Sequence, residues 1–234
     1  MAINPARRDC LTCVVRGPDC FCHLPVAALT ELQAIGRPLR LHKGERFLVE
    51  EGPSDQVYLV CQGQVKVMAS SADGHLLILR IARPGDVLGL AAALHGSRHK
   101  VSAEALETCE VKSIARDEFL SFADRFRDVG RNTALAAATE YEGAVISARR
   151  LALSGSAAGK LASLLFDFAR MNAGDDVTAE FSMPLTHEEL GSMAGLSRET
   201  VTRLLAKFRR DGLVAHGRGR MTLQQPSKLE AFFK

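Results

Sequence analysis

The chain has 234 residues, of which 47% are hydrophobic and 24% charged. That suits one or two packed soluble domains and excludes a disordered, collagenous or disulfide-scaffold protein. No run approaches the roughly 18 consecutive apolar residues of a membrane span, and the opening MAINPARRDC lacks the apolar segment of a signal peptide, so a cytoplasmic protein with no membrane partner is expected. The net charge of +3 divides unevenly: from Thr186 to Lys234 nine Lys or Arg stand against five acids, which leaves −1 for the other 185 residues. A basic excess at the C-terminus suits nucleic acid.

Four of the six cysteines open the chain as C-x2-C-x6-C-x-C: Cys10, Cys13, Cys20 and Cys22. In a reducing compartment such spacing points to metal ligands or redox groups rather than structural disulfides. Val26 to Ile35 follows Pro25 and carries apolar residues at helical spacing, so a short helix is expected. From Leu39 to Ile114 the pattern changes to short β-like runs, among them Gln56 to Val60, Gln64 to Met68 and Leu76 to Ile81. Glycines at 44, 52, 63, 74, 85 and 89 punctuate them, as in a sandwich or barrel. Cys61, inside an apolar run, reads as core.

Helical pattern returns at Asp117 to Phe126 and becomes long and alanine-rich from Val129 to Leu151. There Ala134, Ala138, Tyr141, Val145, Ala148 and Ala152 fall on a heptad track. Such a helix either lies on its own domain or pairs with a second copy, and the small residues of the seam favour close approach of two backbones. Ser154 to Ser156 breaks it. A helix over Ala157 to Met171, a polar loop from Ala173 to Asp176 and a β-like run at Glu180 to Met183 lead to two further helices.

Those two helices carry the strongest signal. In LTHEELGSMAGLSRETVTRLLAKF (185–208), Thr186 and Glu189 form a capping box, Gly195 can turn the chain, and Ser197 can cap the next helix. Leu190, Met193, Leu196, Val201, Leu204 and Leu205 supply the apolar faces of a helix-turn-helix, whose second helix presents its first turns to the major groove of double-stranded DNA. Arg198, Glu199, Thr202 and Arg203 point outward in this reading. Arg can pair with guanine, Glu can accept from the cytosine amino group, and Thr can meet a thymine methyl or a phosphate. Lys207, Arg209 and Arg210 continue as phosphate contacts. Val214 to Leu223 reads as a hairpin turning at Gly217 to Gly219, with Arg218 and Arg220 on it placed to reach the DNA backbone of the adjacent groove.

These residues resemble the transcription regulators of the cyclic-AMP receptor protein and fumarate-nitrate-reduction regulator (CRP/FNR) family. SRETVTR (197–203) looks like the family's recognition helix, and Lys43-Gly44-Glu45, Glu51-Gly52, Gly63, Gly74, Pro84-Gly85-Asp86 and Gly89 resemble the turns of its sensor domain. The resemblance implies an α+β protein that is not an enzyme. Its parts would be a Cys-rich segment (1–24), a cyclic-nucleotide-binding-type β-roll or double-stranded jelly roll (25–126), a dimerisation helix (127–153) and a winged helix-turn-helix (154–234). It further implies a homodimer working with RNA polymerase, with Glu199, Thr202 and Arg203 as base readers and Ser197 opening the helix. Arg198 resembles the cyclic-AMP branch.

Cyclic-nucleotide members are similar in having an acid after the Gly89 position and an Arg-Ser pair; here Leu90 and Lys100-Val101 stand there, which speaks against cyclic AMP. The Cys-rich head instead resembles the run by which oxygen-sensing members hold a [4Fe–4S] cluster, with Cys10, Cys13 and Cys22 as ligands and Cys20 as a competitor. The family's sensor-domain cysteine falls about where Lys112 stands. Cys109, three residues earlier, is either the fourth ligand or a small buried hydrophobe, and the head itself could supply all four. Such a cluster would report oxygen, nitric oxide or redox state. The alternatives are a thiol–disulfide switch, a zinc site using His23, or an unidentified small-molecule effector. His42, His75, His95, His99, His187 and His216 show no catalytic ligand spacing, which leaves a metal enzyme unsupported.

Overall fold

The computed structural model describes residues 9–173, 176–217 and 219–234. By packing, the chain divides into two units, Met1–Gly143 and Ala144–Lys234. Among the described residues no helix is long and apolar enough to cross a membrane.

The first unit opens, after the Cys-rich head, with α1 (Val26–Ile35), the helix that the apolar spacing predicts. Eight strands follow: β1 (Arg37–Leu41), β2 (Arg46–Leu48), β3 (Gln56–Gln62), β4 (Val65–Ser70), β5 (Leu76–Ala82), β6 (Val87–Leu88), β7 (Ser102–Ala105) and β8 (Cys109–Ala115), with the short helix α2 (Leu90–His95) before β7. They form two antiparallel four-stranded sheets, ordered β1-β8-β3-β6 and β2-β7-β4-β5. This is the double-stranded roll of the expected α+β fold.

Strand periodicity gives the first sheet two different faces. On β3, Tyr58 and Val60 turn inward and pack with Leu41, Val65, Val67, Ala103, Cys109 and Val111 between the sheets. Val57 and Leu59 turn outward, with Ile114 of β8, to a second core built by α1, by Phe119 and Phe122 of α3 (Arg116–Arg125), by Val129 of α4 (Arg127–Leu153), and by Cys10, Phe21 and Leu24 of the head. The head is therefore docked on the outside of the roll. Among the contacts that hold it there, Phe21 N–H donates to the Gly85 carbonyl at 3.0 Å, and Cys10 N–H donates to Gln33 Oε1 of α1 at 3.0 Å.

The helix α4 runs for 27 residues and the division between the units falls inside it. Ala136 and Ala137 pack on the sensor core. Ala134, Ala138, Tyr141, Val145, Ala148 and Ala152, the heptad track, are all exposed in the single chain.

In the second unit, α5 (Ala157–Ala173) supports α6 (His187–Ala194) and α7 (Arg198–Arg210), with a three-stranded sheet ordered β10-β11-β9 made by β9 (Phe181–Ser182), β10 (Val214–Gly217) and β11 (Arg220–Leu223). The short helix α8 (Pro226–Glu230) closes the chain. Arg150, 4% exposed, forms an ion pair with Asp167 of α5 and donates to Ser147 Oγ at 3.2 Å.

Candidate nucleic-acid interface and thiol cavity

The helix-turn-helix is assembled by the local chemistry expected of it. Thr186 Oγ1 accepts from Glu189 N–H at 3.2 Å while Glu189 Oε2 accepts from Thr186 N–H at 2.9 Å, so both ends of the capping box are closed. Gly195 ends α6 at φ +63, and Ser197 Oγ accepts from Thr200 N–H at 3.2 Å to start α7. Val201, Leu205 and Phe208 bury one face of α7. The opposite face is left open, and on it Ser197, Arg198, Glu199, Thr202, Arg203, Lys207, Arg209 and Arg210 are all exposed.

Two details refine that surface. The Glu199 carboxylate is held below its ordinary range by hydrogen bonds from its own backbone N–H and the Ser197 hydroxyl, so near neutral pH it is an ionised acceptor. The Thr202 hydroxyl donates to the Arg198 carbonyl at 2.9 Å and lies 2.8 Å from His187 Nδ1. With the hydroxyl proton so used, His187 is the donor of that pair. His187, which the sequence leaves without a role, thus braces the recognition helix, and its ring lies 6.4 Å from that of His216 on β10. The hairpin of β10 and β11 turns through Gly219 at φ +74. Arg220 on it is paired with Glu180. Arg218 lies outside the described residues.

The second constellation is a cavity on the outer face of the roll. It is lined by Cys10, Cys13, Cys20, Cys22 and Cys61, together with Asp9, Arg16, Leu59, Gly85 and Lys112. The four head cysteines are brought together as their spacing suggests. Burial, followed by the neighbouring thiols of Cys20, Cys13, Cys61 and Cys10, pushes the Cys22 thiol up to about 12. Two cations attend the group. Arg16 Nη1 donates to the Cys10 carbonyl at 3.1 Å, and Lys112 Nζ donates at 2.8 Å to Gln33 Oε1, the acceptor it shares with Cys10 N–H.

Cys61 falls differently from its sequence reading, and Cys109 takes the second of its two, the small buried hydrophobe. Cys61 alternates with Val57 and Leu59 and so faces the head, half-buried at the cavity wall rather than in the core between the sheets. Cys109 is fully buried on the other side of the same sheet, under the Gly63 turn, with its thiol 3.1 Å from the Gln64 carbonyl. Burial raises its pKa, and it does not reach the head. Gly63, at φ +81, owes its identity to this packing, because a Cβ there would lie 2.8 Å from the Thr108 carbonyl. His23 is exposed and does not line the cavity.

Chemically, several thiols on one cavity wall are the donor type that an iron–sulfur cluster would take, one thiolate at each iron. A single zinc draws its ligands to within about 2.3 Å of one point, and among the described residues no three His, Cys, Asp or Glu side chains are gathered in that way. Leu90, which follows Gly89, is 1% exposed in the outer core, and Lys100 pairs with Glu51 at 2.8 Å on the surface.

One further contact joins the head to the long helix. Asn132 Nδ2 of α4 donates to the carbonyls of Phe21 at 2.8 Å and His23 at 3.1 Å, the two residues flanking Cys22. Nearby, Arg80 bridges Asp86 at 3.0 Å and Glu140 of α4 at 2.8 Å.

Comparison with known proteins agrees with this anatomy. The cyclic nucleotide-binding domain family matches residues 38–126 and the Crp-like helix-turn-helix domain family matches residues 159–232. The nitrogen fixation regulation protein FixK of Bradyrhizobium diazoefficiens is 28% identical over 234 residues, covering 98% of this chain and 95% of that protein. The transcriptional activator protein Anr of Pseudomonas protegens is 30% identical over 194 residues, or 80% of this chain and 76% of that one. The solved structure of FixK2 from Bradyrhizobium japonicum superposes with a TM-score of 0.76 at 25% identity, covering 86% of this chain and 98% of that one.

Proposed function

We propose, from the premise that the chain belongs to the CRP/FNR family of DNA-binding transcription regulators, that it acts as a homodimer governed by an iron–sulfur cluster in the head cavity. The observation that carries this reading is the convergence of Cys10, Cys13, Cys20 and Cys22 on one wall-bound cavity with cations beside it. Bound there, a [4Fe–4S] cluster would supply a group that oxygen or nitric oxide can degrade. Arg16 and Lys112 would offset the negative charge of the thiolate-ligated cluster.

The rest follows from the chain's own residues. Asn132 grips the carbonyls on both sides of Cys22, so a displacement of Cys22 is felt on α4. The exposed seam of α4, with Tyr141 at 71% exposure, supports pairing with a second copy through small residues at close approach. Two α7 helices related by a two-fold axis would then meet half-sites about 34 Å apart. Arg198 and Arg203 suit guanine, Glu199 suits the cytosine amino group, and Thr202, its hydroxyl engaged within the protein, offers its methyl to thymine. Lys207, Arg209 and Arg210 suit phosphates, and the bound dimer would act on RNA polymerase at the promoter.

The test is anaerobic purification of the full chain, with iron and sulfide assays and a mobility-shift titration on promoter DNA before and after exposure to air. Bound iron and sulfide with an air-dependent change in DNA affinity are expected. An iron-free protein whose DNA binding ignores air overturns the reading.

A further inference from the structure

We propose that Cys61 is the sensor-domain ligand of the cluster, completing a set with Cys10, Cys13 and Cys22, while Cys109 and Cys20 stay outside it. The inference rests on the cluster reading above and names its fourth attachment point.

The first support is strand parity. Side chains of a β-strand alternate between faces, and the outward set on β3 is Val57, Leu59 and Cys61. On the neighbouring β8, Lys112 and Ile114 share that face, while Cys109 and Val111 point into the roll. Leu59 pairs with Lys112 in the register of the two strands, and the register shifts between Val60 and Gln62, at Cys61. Cys61 therefore stands on the strand beside Lys112 and on the same face. The position where the resemblance to oxygen-sensing members implies a cysteine carries Lys112, and a thiol stands on the next strand at the same wall.

The second support is proximity. Cys61 lines the same cavity as the head thiols Cys10, Cys13 and Cys22. Cys109 does not: it belongs to the core between the sheets.

The third is that Cys20 already has a structural task. Its sulfur accepts from Gly17 N–H at 3.4 Å and donates toward the carbonyls of Val15 at 3.6 Å and Pro84 at 3.8 Å. It is wedged against Gly85, where a Cβ would lie 2.8 Å from the Cys20 Cβ. Cys20 thus pins the head loop to the β5–β6 turn.

On ligation each of the four thiols gives its proton to solvent as its sulfur donates an electron pair to one iron, with no change in the oxidation state of sulfur.

The experiment compares anaerobically purified full-length wild type with Cys61→Ser, Cys109→Ser and Cys20→Ser by iron and acid-labile sulfide per chain, with circular dichroism as the folding control. Cys61→Ser is expected to lose cluster by at least the roughly tenfold that loss of a supporting group costs a metal site, while Cys109→Ser keeps it and Cys20→Ser, whose hydroxyl can still bond Gly17 N–H and the Pro84 carbonyl, loses less than Cys61→Ser. The double variant Cys61→Ser/Lys112→Cys, which returns a thiol to the same wall, is expected to regain iron. A second measurement needs no variant: in loaded wild type Cys61 resists alkylation and Cys20 reacts, and chelation of the iron releases Cys61 to the reagent. Wild-type iron in Cys61→Ser, or equal alkylation of Cys61 in loaded and stripped protein, overturns the assignment while leaving the cluster standing. Iron-free wild type instead overturns the cluster reading itself.

Discussion

The carbonyl of Gly85 accepts the backbone N–H of Phe21 at 3.0 Å, and at φ +99 residue 85 lies where an added Cβ would come within 3.1 Å of the Cys20 Cα. The head is thus seated on a glycine. Gly85→Ala is expected to destabilise the sensor unit by about 1–3 kcal/mol from backbone strain alone, and to lower iron per chain by lifting the Cys20 to Cys22 loop. Thermal unfolding and iron analysis check both; a variant with unchanged iron would show that the loop tolerates the shift.

Asn132→Ala removes the two hydrogen bonds that tie the carbonyls of Phe21 and His23 to α4. Iron content should stay near the wild-type level while the difference in DNA affinity between anaerobic and air-exposed protein shrinks. Loss of iron in this variant would make Asn132 a support of the cavity instead of a link to the helix.

Arg203 and Lys207 are both exposed on α7, and their substitutions should separate. Arg203→Ala is expected to cost about 1–3 kcal/mol on the specific site and little on random duplex. Lys207→Ala should weaken both alike and reduce the salt slope by roughly one. Fluorescence anisotropy at several salt concentrations distinguishes them; equal losses for Arg203→Ala on both DNAs would assign it to the backbone.

Arg150→Met strands Asp167, whose carboxyl burial already pushes up and which the Arg150 charge pulls back. Removing one partner of such a pair costs about 3–5 kcal/mol. With Arg150 gone the folded carboxyl binds its proton more tightly than the unfolded one, so the variant should lose stability as pH rises through the carboxylate range. Denaturant titrations of both single variants and of Arg150→Met/Asp167→Leu, where the double restores most of the loss, provide the check.

His99 is 5% exposed, and burial holds its pKa below the ordinary 6.5. The unfolded chain takes up the proton first, so stability is whole above that value and falls as pH drops below it. His99→Gln should flatten the fall in stability as the pH drops below about 6.5. An unchanged slope would place the acid sensitivity elsewhere.

Local structure was legible where one short segment contains both the group and its partner. The capping box of Thr186 and Glu189, the Gly195 turn and the extent of α1 are of this kind. What the sequence hid lies across long separations: Asn132 reaches back 111 residues to Phe21, and no local pattern announces that. Cys61 is an intermediate case. Its alternation with Val57 and Leu59 is written in QVYLVC, but alternation does not say which face meets the head, and a thiol among apolar residues reads as core by composition. The odd spacing of Cys109 and Lys112 carries the complementary message that a strand places the two on opposite sides.

One sheet's thickness therefore divides the cysteines into two chemical populations. Cys109, sealed beneath Gly63 with no exposed surface, is out of reach of any reagent that enters by the head. Its labelling must wait for the roll to open. The slow thiol is consequently an internal clock for the opening of the roll, read separately from the thiols at the head cavity.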